Sequence, residues 1–94
     1  MYGTVMIGKL KPGTLADWRK GLEDWKSARN VPGFVNEYTL IGNDGVTLAS
    51  CVVFESKEAY MDLANDPGQD HWWRTRVVPL LDGEVRWIDG TWAE

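Results

Sequence analysis

Hydrophobic and polar positions along the chain follow two periods, and each change of period marks the boundary of a predicted element. Alternation with a period of two predicts four strands, at residues 2–10, 34–41, 46–54 and 84–92. Spacings of three and four residues predict helices between these strands. The first helix is expected to run from Leu15 to about Arg29, and its apolar stripe consists of Leu15, Trp18, Leu22 and Trp25.

Capping residues predict where the helices begin. Thr14 and Asp17 form an aspartate variant of a capping box at the start of the first helix. The second helical region is predicted in two pieces, because Ser56 caps a helix over 57–64, and Asp66 followed by Pro67 starts another over 67–78.

The resulting order, β-α-β-β-α-β, is that of the ferredoxin-like α+β fold. The Asn43-Asp44-Gly45 turn predicts a hairpin between strands two and three. Right-handed crossovers place strands one and three at the centre of a four-stranded antiparallel sheet with helices on one face. Both central strands are apolar on both faces, so we expect a homodimer that packs sheet to sheet.

Composition narrows the class of protein further. A length of 94 residues predicts one domain, residues 1–94. Cys51 has no second cysteine to pair with, which favours a reducing, cytoplasmic compartment. The 14 acidic and 10 basic residues are scattered, so nucleic acid is not expected as a partner. The apolar start of the chain is too short to span a bilayer, so neither a membrane segment nor a signal peptide is expected.

Three motifs carry a family resemblance. Pro32-Gly33-Phe34 opens the second strand, residues 52–60 read VVFESKEAY, and His71-Trp72-Trp73 follows the helix break. Together they resemble the antibiotic biosynthesis monooxygenase superfamily, the dimeric α+β barrel proteins, over nearly the whole chain. The resemblance implies a pocket between helices and sheet. Members of that superfamily include cofactor-free oxygenases of aromatic polyketides, quinol oxygenases, haem-degrading enzymes and small proteins without a settled activity.

Three polar residues are the candidate catalytic groups. Histidine is the residue type whose ordinary pKa lies near neutral pH, so His71 is a candidate base or haem ligand, although helical spacing places it opposite the apolar side, where it would face solvent. Asn36 and Tyr38 share a strand face with Phe34 and Leu40 and, if that face meets the helices, would hydrogen-bond a developing enolate. The alternative is that they satisfy neighbouring backbone or a dimer contact.

Aromatic residues are the candidate binding groups. The chain has six tryptophans, of which Trp18, Trp25 and Trp73 lie on predicted buried helix stripes. Trp72, Trp73 and Tyr60 are the candidate substrate-binding residues, because an aromatic-lined cavity suits a planar aromatic molecule. Trp92, near the end of the chain, is a candidate dimer contact.

No cofactor is expected, because the sequence has neither metal-ligand spacing nor a glycine-rich phosphate loop. Haem-degrading relatives combine an asparagine, a tryptophan and a histidine, and by spacing the first two positions fall here at Met6 and Met61. Together with the absence of a cofactor motif, the family resemblance therefore implies a cofactor-independent monooxygenase of small aromatic or polyketide-like substrates. The alternative is a non-catalytic small-molecule-binding or self-association module of the same fold.

Overall fold

The computed structural model describes residues 1–28 and 30–93, and its elements follow the predicted order. They are β1 (Tyr2–Lys9), α1 (Leu15–Ala28), β2 (Phe34–Ile41), β3 (Thr47–Phe54), α2 (Lys57–Ala64), α3 (Pro67–Trp72) and β4 (Arg86–Thr91). Between α3 and β4 the chain forms a π-helical turn, Trp73–Val77, and a 3-10 turn, Val78–Leu80. The predicted end of the first helix, Arg29, lies outside the described residues. Within the described ranges, every helix is too short or too polar to cross a membrane.

The four strands form one antiparallel sheet in the order β2-β3-β1-β4. β1 pairs with β3 on one side and with β4 on the other, while β2 pairs with β3. The helices cover the sheet face on which Met6, Leu48 and Phe54 are buried. The predicted ferredoxin-like arrangement, with strands one and three at the centre, is confirmed.

Two of the three predicted helix caps are confirmed. The Ser56 hydroxyl accepts a hydrogen bond from Ala59 N at 3.2 Å, and the Asp66 carboxylate accepts one from Gly68 N at 3.1 Å. The predicted capping box at Thr14 is wrong. Its hydroxyl donates to the carbonyl of Lys11 at 2.7 Å, so the side chain closes the preceding turn instead of capping α1.

A compact hydrophobic core fills only one end of the space between helices and sheet. Its buried members are Met6, Leu10, Trp18, Leu48, Val77 and Leu81. Toward the other end, large aromatic side chains contact one another and enclose a cavity. The core therefore fixes the helices at one end while the other end stays open to a ligand.

An irregularity at the start of β2 decides which side chains of that strand face the helices. The pairing register of β2 with β3 shifts between Phe34 and Asn36. As a result Phe34 and Glu37 both face the helices, whereas Asn36 and Tyr38 face the other way. Strict alternation predicted Phe34, Asn36 and Tyr38 on one face, and that prediction is wrong for Phe34.

Two of the motifs that carry the family resemblance meet in space. Gly33 has a positive φ of 77°, and its carbonyl accepts a hydrogen bond from Glu55 N at 2.8 Å. A methyl group added at Gly33 would lie 2.5 Å from Cβ of Ala59 in α2. Glycine is therefore required at Gly33 both by the backbone conformation and by the close approach of α2.

Replacing Gly33 tests this contact. We expect Gly33→Ala to lower the free energy of unfolding by about 2 to 4 kcal/mol, because it combines left-handed backbone strain with a steric clash. Gly13→Ala is the matched control, since Gly13 has a φ of 82° and open space around it. It should cost about 1 kcal/mol through strain alone. Urea unfolding measures the free energy of unfolding of both variants. Equal decreases in the two variants would show that the contact with Ala59 relaxes without a measurable cost.

Candidate functional site

An aromatic cavity of about 240 Å³ lies between the helices and the sheet, where the family resemblance placed a pocket. α1, α2, α3 and the π-helical turn form its roof, and the sheet forms its floor. Its aromatic lining residues are Trp18, Trp25, Phe34, Phe54, Tyr60, Trp72, Trp73 and Trp87. The walls therefore present many π-faces to whatever occupies the cavity.

Strand pairing arranges the floor of the aromatic cavity in rows that run across the sheet. One row consists of Glu37, Val52, Thr4 and Asp89, taken from β2, β3, β1 and β4 in turn. The next row consists of Thr39, Ser50, Met6 and Trp87. Of the polar residues in these two rows, Glu37, Thr4 and Ser50 line the cavity, under a roof that is largely apolar.

Glu37 is the most buried ionisable group that lines the aromatic cavity, with 8% of its surface exposed. One carboxylate oxygen accepts hydrogen bonds from the hydroxyls of Thr39 at 2.7 Å and Ser50 at 3.1 Å. The Thr39 oxygen in turn accepts a bond from Nε1 of Trp18 at 3.2 Å. Because the Trp18 N–H can only donate, the single Thr39 proton is directed to Glu37. The network therefore supplies hydrogen-bond donors to the Glu37 carboxylate.

A second carboxylate with two hydroxyl donors lies at the β4 edge of the same row. Asp89 accepts hydrogen bonds from Thr4 at 2.6 Å and from the phenol of Tyr60 at 3.2 Å. Burial raises the pKa of the Tyr60 phenol above its usual value. Tyr60 is therefore held as a neutral hydrogen-bond donor at the wall of the cavity.

The π-helical turn shapes the roof of the aromatic cavity. The Val78 amide donates to the carbonyl of Trp73, five residues earlier, which widens the helix at this point. Trp72, just before the turn, lies 6.1 Å from the ring of Trp25, and Trp73 lies 5.2 Å from the ring of Trp87. Trp72 and Trp73 are adjacent in the sequence, yet each contacts a different ring in the wall of the cavity. Nε1 of Trp72 is buried and has no hydrogen-bond acceptor among the described residues.

The structure does not bring the three candidate catalytic residues together. His71 is exposed and does not line the aromatic cavity. Tyr38 is 61% exposed on the sheet face away from the helices, and Asn36 uses its side-chain oxygen to accept a bond from Glu37 N at 2.8 Å. That strand face does not meet the helices after the register shift in β2, so Asn36 and Tyr38 do not line the pocket. The contact of Asn36 with the neighbouring backbone is the alternative that the sequence left open.

The three candidate substrate-binding residues, Trp72, Trp73 and Tyr60, do line the aromatic cavity. Trp18 and Trp25 are buried, as the helix stripe predicted, and they also form part of its wall. Sequence reasoning missed Glu37. Glu37 could have been recognised only as a charged residue on the side of β2 that faces the hydrophobic helices. Which side that is becomes known only from the pairing register of β2.

The residues of the aromatic cavity do not fit a haem group. Its described lining residues include no histidine or cysteine to ligate the iron and no lysine or arginine to pair with the propionates. The buried Glu37 would also repel those carboxylates. Within the described ranges, no three His, Cys, Asp or Glu side chains gather as a metal-binding group.

Comparison with known proteins identifies solved structures of the same fold. No protein-family model matches the chain, and no curated protein matches it. Among solved structures it is similar to a protein from Bordetella bronchiseptica named as an antibiotic biosynthesis monooxygenase, with a TM-score of 0.78 and 12% identity over 99% of this chain and 97% of that one.

Two further structures of similar fold contain ligands. A monooxygenase from the gene ActVA-Orf6 of Streptomyces coelicolor, in complex with Nanaomycin D, has a TM-score of 0.75 and 21% identity over 99% of this chain and 88% of that one. A MhuD variant with two manganese protoporphyrin IX molecules per active site has a TM-score of 0.73 and 18% identity over 100% and 96%. The chain therefore has the fold of the antibiotic biosynthesis monooxygenases, as its motifs predicted.

Proposed function

We propose that the protein is a cofactor-independent monooxygenase whose substrate is a small, planar aromatic or polyketide-like molecule bound in the aromatic cavity. The observation that carries the proposal is an aromatic-walled cavity with a buried, hydrogen-bonded carboxylate, Glu37, on its floor. The Streptomyces coelicolor monooxygenase of the same fold, in complex with Nanaomycin D, supports a substrate of this kind.

Binding uses the rings of the wall. A planar substrate enters between the roof, where Trp25 and Trp72 lie, and the floor formed by β3 and β1. Offset or edge-to-face ring contacts each add about 0.5 to 1.5 kcal/mol beyond the burial of apolar surface. Water leaves the cavity as the substrate enters, and the loss of water strengthens the interaction of the substrate with Glu37.

In the chemical step Glu37 acts as the general base, in place of His71. With an anthrone, the carboxylate accepts a proton from the ring methylene, and the resulting enolate transfers electrons to molecular oxygen. A carbon–oxygen bond forms, the peroxide takes up a proton, and loss of water leaves a carbonyl. Anthrone and O₂ thus give anthraquinone and water, so the substrate supplies all four electrons.

Ser50 and Thr39 position the base. Their hydroxyls donate to the same carboxylate oxygen of Glu37, which fixes the carboxylate. The other oxygen only shares the single Thr39 proton, at a longer distance of 3.0 Å. That second oxygen is the one we assign to proton abstraction. A base held in this way needs little reorganisation in the transition state.

A non-catalytic small-molecule-binding module is the second candidate function. It is favoured by one observation: His71, Asn36 and Tyr38 do not converge on the aromatic cavity. A module of this kind would bind the same planar molecules without consuming oxygen. Binding and oxygen uptake must therefore be measured separately.

We also propose that a second copy of the chain covers the sheet face that carries no helix. On this face Val5, Ile7 and Val53 of the central strands are only half-buried, and at the edges Tyr38 and Leu40 are 61% and 70% exposed. A second identical face would bury these side chains symmetrically.

The cytoplasmic location stays a prediction from the cysteine content.

Oxygen uptake by metal-stripped protein tests the catalytic proposal. With a panel of anthrones, hydroquinones and catechols, we expect turnover by the wild type and a fall in kcat of at least about 100-fold in Glu37→Gln, because the base is lost. Glu84→Gln removes an equal charge from an exposed site and should keep the wild-type rate. His71→Ala should do the same.

The outcomes separate the two functions. Quenching of tryptophan fluorescence by the same compounds, without oxygen uptake, would support the binding module and contradict the oxygenase. Oxygen uptake that falls in His71→Ala but not in Glu37→Gln would contradict the assignment of the base.

Light scattering during size-exclusion chromatography tests the proposed dimer. At micromolar concentration we expect a mass of two chains for the wild type and of one chain for Leu40→Glu, which places a charge in the apolar face. Val78→Glu is the matched control, because Val78 is a 45% exposed apolar residue in the helical layer. A wild-type mass of one chain would contradict the dimer.

A further inference from the structure

The aromatic cavity contains an unbalanced negative charge. Its described lining residues include Glu37 and Asp70 but no lysine or arginine. Asp70 is exposed and forms an ion pair with Arg74 at 2.9 Å, so its charge is already compensated. Glu37 is buried, and within the described ranges no cationic side chain lies within ion-pair distance of it.

The hydrogen bonds of Glu37 do not replace a counter-ion. Thr39 and Ser50 supply neutral hydroxyl donors, and Trp18 reaches the carboxylate only through Thr39. Buried charges in proteins are usually paired as well as hydrogen-bonded, since burial in a medium of low polarity is costly. The carboxylate is thus prepared to receive a positive charge that the described lining does not supply.

Basic residues do occur on the other side of Glu37, in a second cavity between α1 and the edge of the sheet. Arg19 and Lys26 line that second cavity together with Glu23 and Glu37. Both basic side chains are exposed, so water screens their charges from Glu37. On the side of the aromatic cavity the carboxylate meets aromatic walls instead.

Those walls favour a cation as well. The face of an indole or phenol ring carries partial negative charge, and an ammonium group within about 6 Å of the ring centroid is attracted to it. Trp18 and Trp25 of α1, with Trp72 and Phe34, line the same cavity as Glu37. A cavity lined by several rings and one carboxylate is suited to the recognition of an organic cation.

We propose that the aromatic cavity binds aromatic ammonium ions, with Glu37 as the counter-ion and the surrounding rings as the cage. This activity uses the cavity of the proposed function but does not require turnover. An ammonium group on Glu37 would occupy the carboxylate that accepts the proton from a substrate. Compounds of this class therefore compete with the substrate instead of being oxygenated.

Calorimetric titration with three matched naphthalene derivatives tests the proposal. 2-Naphthylmethylammonium is the cation, 2-naphthylmethanol is its neutral counterpart, and 2-naphthoate is the anion. At neutral pH we expect the wild type to bind the cation about tenfold more tightly than the alcohol, and the anion more weakly than either. In Glu37→Gln the cation should bind no more tightly than the alcohol, while the affinity for the alcohol stays close to that of the wild type.

Glu84→Gln is the control for net charge, because it removes one carboxylate at an exposed position outside the aromatic cavity. It should keep the wild-type preference for the cation. Equal binding of cation and alcohol by the wild type, or a cation preference that survives Glu37→Gln, would overturn the proposal. The wild-type series decides the question even if Glu37→Gln does not fold.

The result is independent of the proposed oxygenase. A cation preference without oxygen uptake would contradict the oxygenase alone, and oxygen uptake without a cation preference would contradict the cation site alone. No binding of any of the three compounds would contradict the cation site, while the oxygen-uptake assay alone decides the oxygenase.

Discussion

The register shift at the start of β2 is the local constraint on which the candidate site depends. Without it, Phe34 and Glu37 would lie on opposite faces of the sheet, so either the ring that packs 5.1 Å from Trp25 or the carboxylate would be lost from the cavity. With it, Phe34 contributes to the aromatic wall and Glu37 reaches the floor beside Ser50. A bulge re-aims every side chain that follows it along the strand, so one irregularity decides the chemistry of the site.

Periodicity predicts the parts of this fold that depend on long, regular stretches. The four strands, the stripe of Trp18 and Trp25, and the caps at Ser56 and Asp66 follow from spacing and hydrogen-bonding capacity that each segment carries by itself. The bulge in β2, the π-helical turn after Trp72 and the role of Thr14 depend on neighbouring segments, and a single sequence does not encode them in its period. The candidate site lies among those irregular features, which is why its aromatic residues were predicted and its carboxylate was not.

The division of the helix–sheet layer into a packed end and an open end connects stability with function. Leu10, Leu48 and Leu81 pack at one end, where the chain gains most from apolar burial. At the other end large rings that contact one another surround about 240 Å³ of space, and the ring surfaces that face this space give up contacts that a filled core would make. A π-helical turn, a form common at functional sites, lies over the same open end. The fold thus concentrates its irregular geometry where a ligand can enter.

Glu37 gives the strongest physical reason to regard this open end as a site and not as imperfect packing. A buried carboxylate loses hydration, and replacing such a group by a well-packed apolar residue is often neutral or stabilising. Here the carboxylate is retained with two hydroxyl donors, and a third residue, Trp18, orients one of those donors. Groups that oppose the local rule of an apolar interior often lie at functional positions in folded proteins. Because the support comes from α1, β2 and β3 together, the carboxylate depends on the whole fold for its place, and the chemistry of any ligand must be compatible with it.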